Sequence, residues 1–219
     1  MTTTEFVAAT YLRATGEVST LSPTDSDYQK IIQLGNLQID NWAKEAEWNS
    51  LYDPGLAIGS VSATDSFDLD DSIRIISQTP DDYVQILRTD GTTSNYQTVQ
   101  ANDLKRYAEG KFCARIGSTL RFNKAFTSSS RDFGGTIKVP SFLFAGHLSV
   151  DSDTDVPVDD PNWLVLITAA DWVQSDITLA QNRPDLVSQA NDLMDAMKRA
   201  NGAQVKTVSL EPVARGIEW

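Results

Sequence analysis

The chain has 219 residues, of which 41% are hydrophobic and 22% charged, enough to bury a substantial core without a metal or a disulfide. Its 30 acidic and 18 basic residues give a formal net charge of −12, which disfavours binding to DNA, RNA or anionic membranes. A single cysteine, Cys113, excludes an internal disulfide, and its strand-like surroundings predict a buried small hydrophobe. We expect no signal peptide and no membrane-spanning segment, and hence a cytosol-like compartment.

The N-terminal part of the chain predicts two helices. Thr2 and Glu5 have the spacing of a capping box, and Gly16 is a typical helix end. Asp25 or Ser26 can cap the second helix. The apolar positions of that helix recur every three or four residues, which predicts one buried face, at Tyr28, Ile31, Ile32, Gly35, Ile39, Trp42 and Ala46.

The middle of the chain predicts a set of short strands. Helical periodicity ends at Pro54-Gly55, and β-prone runs then alternate with turn clusters. Asp90-Gly91 predicts a tight hairpin turn, Gly117-Ser118 a second turn, and residues 101–109 a short helix. The β-prone runs are Ile58–Ser62, Ser72–Ile76, Tyr83–Arg88, Tyr96–Val99, Phe112–Ile116, Thr119–Phe122 and Thr136–Pro140. Such a series indicates a small antiparallel sheet or barrel-like module.

Helical patterns return after an acidic connector at residues 149–161. Asp160 followed by Pro161 is a typical helix start. Pro184 divides the pattern that follows, and Gly202 predicts its end. The apolar stripe is formed by Trp163, Ile167, Ala170, Val173 and Ile177, and then by Leu186, Ala190, Leu193 and Met197.

The order of these elements predicts an α+β fold with a helical bundle frame and an inserted antiparallel β-rich module. The two helical parts most simply pack on each other, because each must bury an apolar face. The predicted divisions are 1–55 for the N-terminal helices of the frame, 56–150 for the inserted β-rich module, 151–202 for the C-terminal helices of the frame and 203–219 for an extended docking tail.

Motif analysis predicts neither catalytic residues nor a metal or cofactor site. The acidic cluster Asp65–Asp71 lacks the loop glycine and closing glutamate of an EF-hand. Asp151, Asp153 and Asp155 have ion-loop spacing without the required glycine, so a weak divalent-ion loop is only an alternative to a solvated linker. His147, the single histidine, is predicted to be a loop residue. We therefore expect a protein that is not an enzyme.

Five tryptophans add information about packing. Trp42, Trp48, Trp163 and Trp172 fall in the predicted helices, where burial in the core is their expected role. The alternative for Trp48 or Trp172 is an anchor at a subunit interface. Trp219 is predicted to anchor the tail in a pocket, on this chain or on a partner.

Three segments resemble the head-to-tail adaptor proteins of tailed bacteriophages, including the tail tubular protein A group. These segments are Tyr11–Glu17, Asn41–Leu51 and Val156–Val165. The resemblance covers the predicted helical frame and the order of elements. It implies a non-catalytic virion protein of the neck or tail, made in the host cytoplasm.

The same resemblance implies a set of partners. Such subunits form a homo-oligomeric ring, typically a dodecamer, that joins the portal protein to a tail or nozzle protein. Double-stranded DNA passes through the ring without specific binding, and no membrane is involved. In that family the C-terminal segment reaches toward the portal. For this chain, the tail could dock either on the portal or on a neighbouring subunit. The predicted interface residues are Val205, Val208, Leu210, Ile217 and Trp219.

Two other functions are compatible with the residues. One is a tail-associated receptor- or carbohydrate-binding module built on the β-rich part, with Tyr83, Tyr96 and Tyr107 as exposed candidates. The other is a hydrolase that uses carboxylates around Asp68 and Asp153 for acid-base chemistry.

Overall fold

The chain divides into two compact units. The computed structural model describes residues 1–79, 81–107, 109–174, 176 and 178–205, with the backbone alone described at 203–205. The helical unit comprises Met1–Ala46 and the chain from Ala145 onward, and the β unit comprises Glu47–Phe144. Within the described ranges, no helix is both long and apolar enough to cross a lipid bilayer.

The helical unit contains α1 (Thr3–Thr15), α2 (Ser26–Glu45), α3 (Pro161–Val173) and α4 (Arg183–Val205). Helix α3 packs against each of the other three helices. Its buried residues therefore lie on nearly every side, including all four positions from Trp163 to Leu166. A helix that is apolar all round is typical of such a central position.

The predicted helix ends are largely confirmed. Thr2 and Glu5 form a capping box at α1, and Gly16 ends that helix with a left-handed φ of 79°. Asp160 caps α3 by accepting the N–H of Asn162. The predicted end at Gly202 is wrong, because α4 continues to Val205. A helical glycine there costs roughly 1 kcal/mol relative to alanine without breaking the helix.

The predicted apolar face of α2 is also buried. The buried positions include all those predicted except Ala46, which lies beyond the helix, and Ala43 takes its place. Gly35 permits a close approach, because a Cβ atom there would lie 3.0 Å from the ring of Phe6. Gly35 therefore lets α2 lie close to α1.

Three of the four tryptophans predicted as core anchors are buried. Trp42 and Trp48 are fully buried and Trp163 is 4% exposed. Trp48 lies beyond the end of α2, so its predicted place in a helix is wrong. Trp172 is half-buried, with its ring edge-on to Tyr11.

The β unit is built on one sheet. Its strands are β1 (Tyr52–Ser60), β2 (Ser66–Asp68), β3 (Ile73–Ile76), β4 (Tyr83–Leu87), β5 (Thr93–Thr98), β6 (Phe112–Ile116), β7 (Thr119–Phe122) and β8 (Thr136–Leu143). The strand order is β1-β8-β4-β5-β6-β7-β2, and β3 also pairs with β8. The sheet curls into a half-barrel. Its core is formed by Val61, Leu69, Ile73, Ile76, Val84, Ile86, Tyr96, Cys113, Leu120, Phe122, Phe126, Ile137 and Val139.

The turns of the sheet follow the predicted signals. Gly91 adopts a φ of 79° in the hairpin between β4 and β5, and Gly117 a φ of 62° between β6 and β7. Cys113 is fully buried, as predicted. In the region predicted to hold a short helix, the described residues contain a single 3₁₀ turn at Leu104–Arg106.

The predicted fold class is wrong. The protein is a mixed α/β protein dominated by an eight-stranded curled sheet with four helices, and not a helical bundle frame with an inserted antiparallel module. The sheet is also not antiparallel throughout, because β5 and β6 pair in parallel with Gln97 opposite Phe112. Strands β1 and β8 are also longer than their sequence signals indicate.

A β-bulge explains why these two strands were underestimated. Asp53 pairs with Ser141 and Leu56 with Val139, so two residues of β1 lie opposite one residue of β8. Pro54 and Pro140 both lie in this bulge. A proline is tolerated where the ladder of hydrogen bonds is already interrupted. The sequence therefore suggests a strand end at Pro140 and the end of the helical part at Pro54, although both strands continue through these prolines.

Candidate docking groove

An open groove of about 700 Å³ lies on the helical unit between α2, α3 and α4. The buried rings of Trp42 and Trp163 contribute to its lining. Ile167 and Met194, both half-buried, add further apolar surface. The remaining lining residues are polar or charged: Gln38, Asn41, Lys44, Glu45, Asn191, Asp195 and Lys198.

Helical spacing places these side chains together. Trp163 and Ile167 of α3 are four residues apart, so they share one face. The α4 residues follow the same rule, since Asn191, Met194 and Lys198 lie three and four residues apart. Each helix thus presents successive turns to the groove.

The rim of the groove is electrically balanced. The Nζ atom of Lys198 lies 2.7 Å from Oε2 of Glu45, an ion pair that joins α4 to α2. Both side chains are well exposed, so this pair contributes less than about 1 kcal/mol. Lys44 and Asp195 also carry opposite charges. A groove with two half-buried apolar side chains, Ile167 and Met194, and a balanced polar rim can accept a peptide segment.

The predicted interface residues begin where α4 ends. Val205 is the last residue of that helix, and its side chain lies outside the described part of the chain. The other four predicted interface residues lie outside the described residues altogether: Val208, Leu210, Ile217 and Trp219. Because Lys198 lines the groove, the end of α4 lies roughly 10 Å beyond the groove along the helix axis.

The acidic connector has a structural role. Asp153 accepts a 2.9 Å hydrogen bond from the N–H of Thr4 at the start of α1. That bond lowers the pKa of Asp153, as does a hydrogen bond with Thr2. Among the residues that the structure describes, no group of three or more acidic, histidine or cysteine side chains is arranged to hold a metal ion.

The other candidate residues are separated. His147 is exposed in a loop, as predicted, with Nε2 2.9 Å from a carboxylate oxygen of Asp40. Asp68 lies on β2 in the β unit, whereas Asp153 belongs to the helical unit. The structure assigns these two carboxylates to different units.

The tyrosines predicted for receptor or carbohydrate binding differ in exposure. Tyr83 is 37% exposed and Tyr107 is 40% exposed. Tyr107 stacks on Phe112 with ring centroids 4.4 Å apart. Tyr96 is only 6% exposed, and its hydroxyl donates a 2.6 Å hydrogen bond to Asp132. The prediction that Tyr96 is exposed is therefore wrong.

The sequence patterns by themselves do not reveal the groove. The helical periodicity of α2, α3 and α4 was visible, but it does not say which faces meet. Met194 and Lys198 fall between apolar stripe positions, so only the groove and the Lys198–Glu45 ion pair show where these side chains lie. No family model matches the chain, and no curated protein matches it either.

Proposed function

We propose that this protein is the ring-forming head-to-tail adaptor of a tailed bacteriophage. Its copies form a ring, a dodecamer by the family resemblance, that joins the portal to the tail and surrounds the DNA exit channel. The proposal draws on the resemblance of Tyr11–Glu17, Asn41–Leu51 and Val156–Val165 to such adaptors. Its subunits act by assembly.

The helical groove is the observation that carries this proposal. A head-to-tail ring requires each copy to present two different surfaces, a donor and an acceptor. The groove is the acceptor, and residues 206–219, which follow the groove-lining helix α4, are the donor. We assign the tail of one copy to the groove of the next copy in the ring.

The length and chemistry of the tail fit this assignment. Its 14 residues can span up to roughly 50 Å when extended. Lys206 and Arg215 balance Glu211 and Glu218, so the tail has no net side-chain charge. A neutral tail is not repelled by the acidic helical unit and matches the balanced rim of the groove.

The charge distribution supports a role around DNA. The helical unit has 18 acidic and 8 basic residues in its sequence, so it carries most of the net charge of −12. Each phosphate that a protein neutralises increases its affinity for DNA. An acidic ring therefore allows DNA to pass without being held.

The test compares two glutamate substitutions and one truncation. Met194→Glu places a charge in the groove, whereas Leu37→Glu places one on α2 at a side chain that is 54% exposed and outside the groove lining. The third variant lacks residues 206–219. Native mass spectrometry and electron microscopy with purified portal protein measure assembly, and circular dichroism checks that each variant is folded.

We expect wild type and Leu37→Glu to form rings that bind the portal, while Met194→Glu and the truncation remain folded monomers. A wild-type chain that stays monomeric with the portal present overturns the adaptor function. A truncation that still forms rings but no longer binds the portal places the tail on the portal, and the groove assignment is then wrong.

A further inference from the structure

One part of this acidic chain is strongly basic. Between Lys105 and Arg131 the sequence has seven basic residues and one acidic residue, Glu109. The basic residues are Lys105, Arg106, Lys111, Arg115, Arg121, Lys124 and Arg131. All of them belong to the β unit.

Five of these residues line two adjoining clefts. One cleft of about 310 Å³ is lined by Lys111, Lys124 and Arg131. The other, of about 120 Å³, is lined by Lys105 and Arg121. Asn123 lines both clefts, so they adjoin at that residue, and we call the two together the basic cleft.

The two carboxylates that line the basic cleft are already paired. Asp65 accepts a 2.9 Å hydrogen bond from Nε of Arg121. Asp132 accepts one of 2.6 Å from Nε of Arg88, which is outside the cleft lining. The lysines and Arg131 therefore leave an excess of positive charge.

A buried network positions one of these cations. Nζ of Lys111 donates a 2.6 Å hydrogen bond to Oγ of Ser94. That hydroxyl donates in turn to Asp132 over 2.7 Å, and Ser94 is only 2% exposed. The Lys111 ammonium also lies 5.5 Å from the centre of the Tyr96 ring. A satisfied network of this kind holds the charge in place before a partner arrives.

We propose that the basic cleft binds a second copy of this chain, through that copy's acidic connector at residues 149–161. The proposal rests on the ring assembly proposed above and names a further contact between neighbouring copies. The connector has no lysine or arginine. Asp151, Asp155 and Asp159 are exposed on it.

Charge complementarity favours a second copy over other partners. Two basic clefts repel each other, so a two-fold contact through this surface is disfavoured. A contact from cleft to connector uses different surfaces on each copy, as a head-to-tail ring requires, and opposite charges orient the encounter. Nucleic acid is a weaker candidate, because the remainder of the chain is strongly acidic.

The test exchanges charges between the two surfaces. Lys124→Glu/Arg131→Glu reverses two exposed cations of the cleft and leaves Lys111 and its network intact. The matched control, Arg13→Glu/Arg199→Glu, changes the net charge equally on exposed residues of the helical unit. The reciprocal variant is Asp151→Lys/Asp155→Lys, and a fourth chain combines the cleft and connector substitutions.

Sedimentation velocity measures ring formation from about 50 mM to about 500 mM NaCl, a range that screens exposed charges. We expect the cleft variant and the connector variant each to weaken assembly at least about tenfold. The control assembles like wild type, and the combined chain recovers. Assembly of the wild-type chain weakens as salt rises.

Three outcomes overturn the proposal. If wild type forms rings and the two reversal variants assemble equally well, this contact is wrong while the adaptor function stands. If a short DNA duplex binds wild type but not the cleft variant, and rings are unaffected, the cleft is a nucleic-acid surface. If wild type forms no ring with portal present, the adaptor function fails and this contact fails with it.

Discussion

The carboxylate of Asp132 is surrounded by groups that donate to it. Burial raises the pKa of Asp132, but hydrogen bonds from Ser94, Tyr96 and Arg88 together outweigh that effect and lower the pKa below its usual value. A carboxyl whose pKa is lower in the folded state stabilises the fold at neutral pH. That contribution is lost as the pH falls through the folded-state pKa.

We predict that Asp132→Asn lowers the free energy of unfolding by about 3 kcal/mol at pH 7, because Arg88 loses its buried counter-ion. The loss should be smaller at about pH 3, because below the ordinary aspartate pKa of about 3.9 the wild-type fold begins to lose the stability that this ionised carboxyl contributes. Urea unfolding at both pH values measures the difference. The control Asp71→Asn, at an exposed residue, should stay within about 0.5 kcal/mol of wild type. An equal loss at both pH values contradicts the assigned role.

Cys113 provides a second test at the scale of one residue. Burial raises the pKa of its thiol to about 12. The nucleophilic thiolate is therefore scarce at pH 8 in the folded protein. We predict that the native chain does not react with Ellman's reagent and that one thiol reacts after unfolding in guanidinium. Prompt labelling of the native protein contradicts the burial of Cys113.

At the scale of elements, Gly35 controls how closely α2 approaches its neighbours. A Cβ atom at Gly35 would lie 3.0 Å from two ring carbons of Phe6 and 3.3 Å from a methyl carbon of Leu148. Both contacts are tighter than ordinary van der Waals contact. With a side chain at this residue, the ring of Phe6 and the methyl group of Leu148 would have to move by a few tenths of an ångström.

We predict that Gly35→Ala lowers the free energy of unfolding by about 1–2 kcal/mol, because overpacking outweighs the gain in helix propensity. Gly202→Ala in α4 is the matched control, since a Cβ atom there meets no atom of the described residues within 4 Å. That substitution should raise stability by up to about 1 kcal/mol. Chemical denaturation measures the free energy of unfolding of both variants. An equal increase at the two positions would show that a Cβ atom at Gly35 fits without displacing its neighbours.

At the scale of the whole molecule, the β unit contains its own core. Every strand of the sheet and every residue of its core cluster lies between Glu47 and Phe144. Strand β8 pairs with β1, β3 and β4, so it joins much of the sheet. A unit with a complete core and a continuous sequence can fold by itself.

We predict that residues 47–144 expressed alone give a strand-type circular dichroism spectrum and a single cooperative urea transition. The same segment ending at residue 135 lacks β8 and should show no cooperative transition, because three strands lose their partner. A longer segment that unfolds without cooperativity contradicts the assignment of an independent unit.

Local sequence signals determine the ends of several elements. The structure confirms three such signals: the capping box of Thr2 and Glu5, the helix start at Asp160-Pro161 and the turn at Asp90-Gly91. Each depends on groups within about four residues of one another. Such short-range interactions are specified by the residues themselves.

Only the tertiary structure decided the features that depend on distant residues. The bulge that accommodates Pro54 and Pro140 requires β1 to lie against β8. The Arg88–Asp132 pair joins positions 44 residues apart. The Lys198–Glu45 pair at the groove joins positions 153 residues apart. Periodicity shows that a face is apolar or charged, but only packing shows which face meets it. For that reason the amino-acid sequence by itself determined most of the elements and the charge. The extent of the sheet, the groove and the basic cleft were decided only by the tertiary structure.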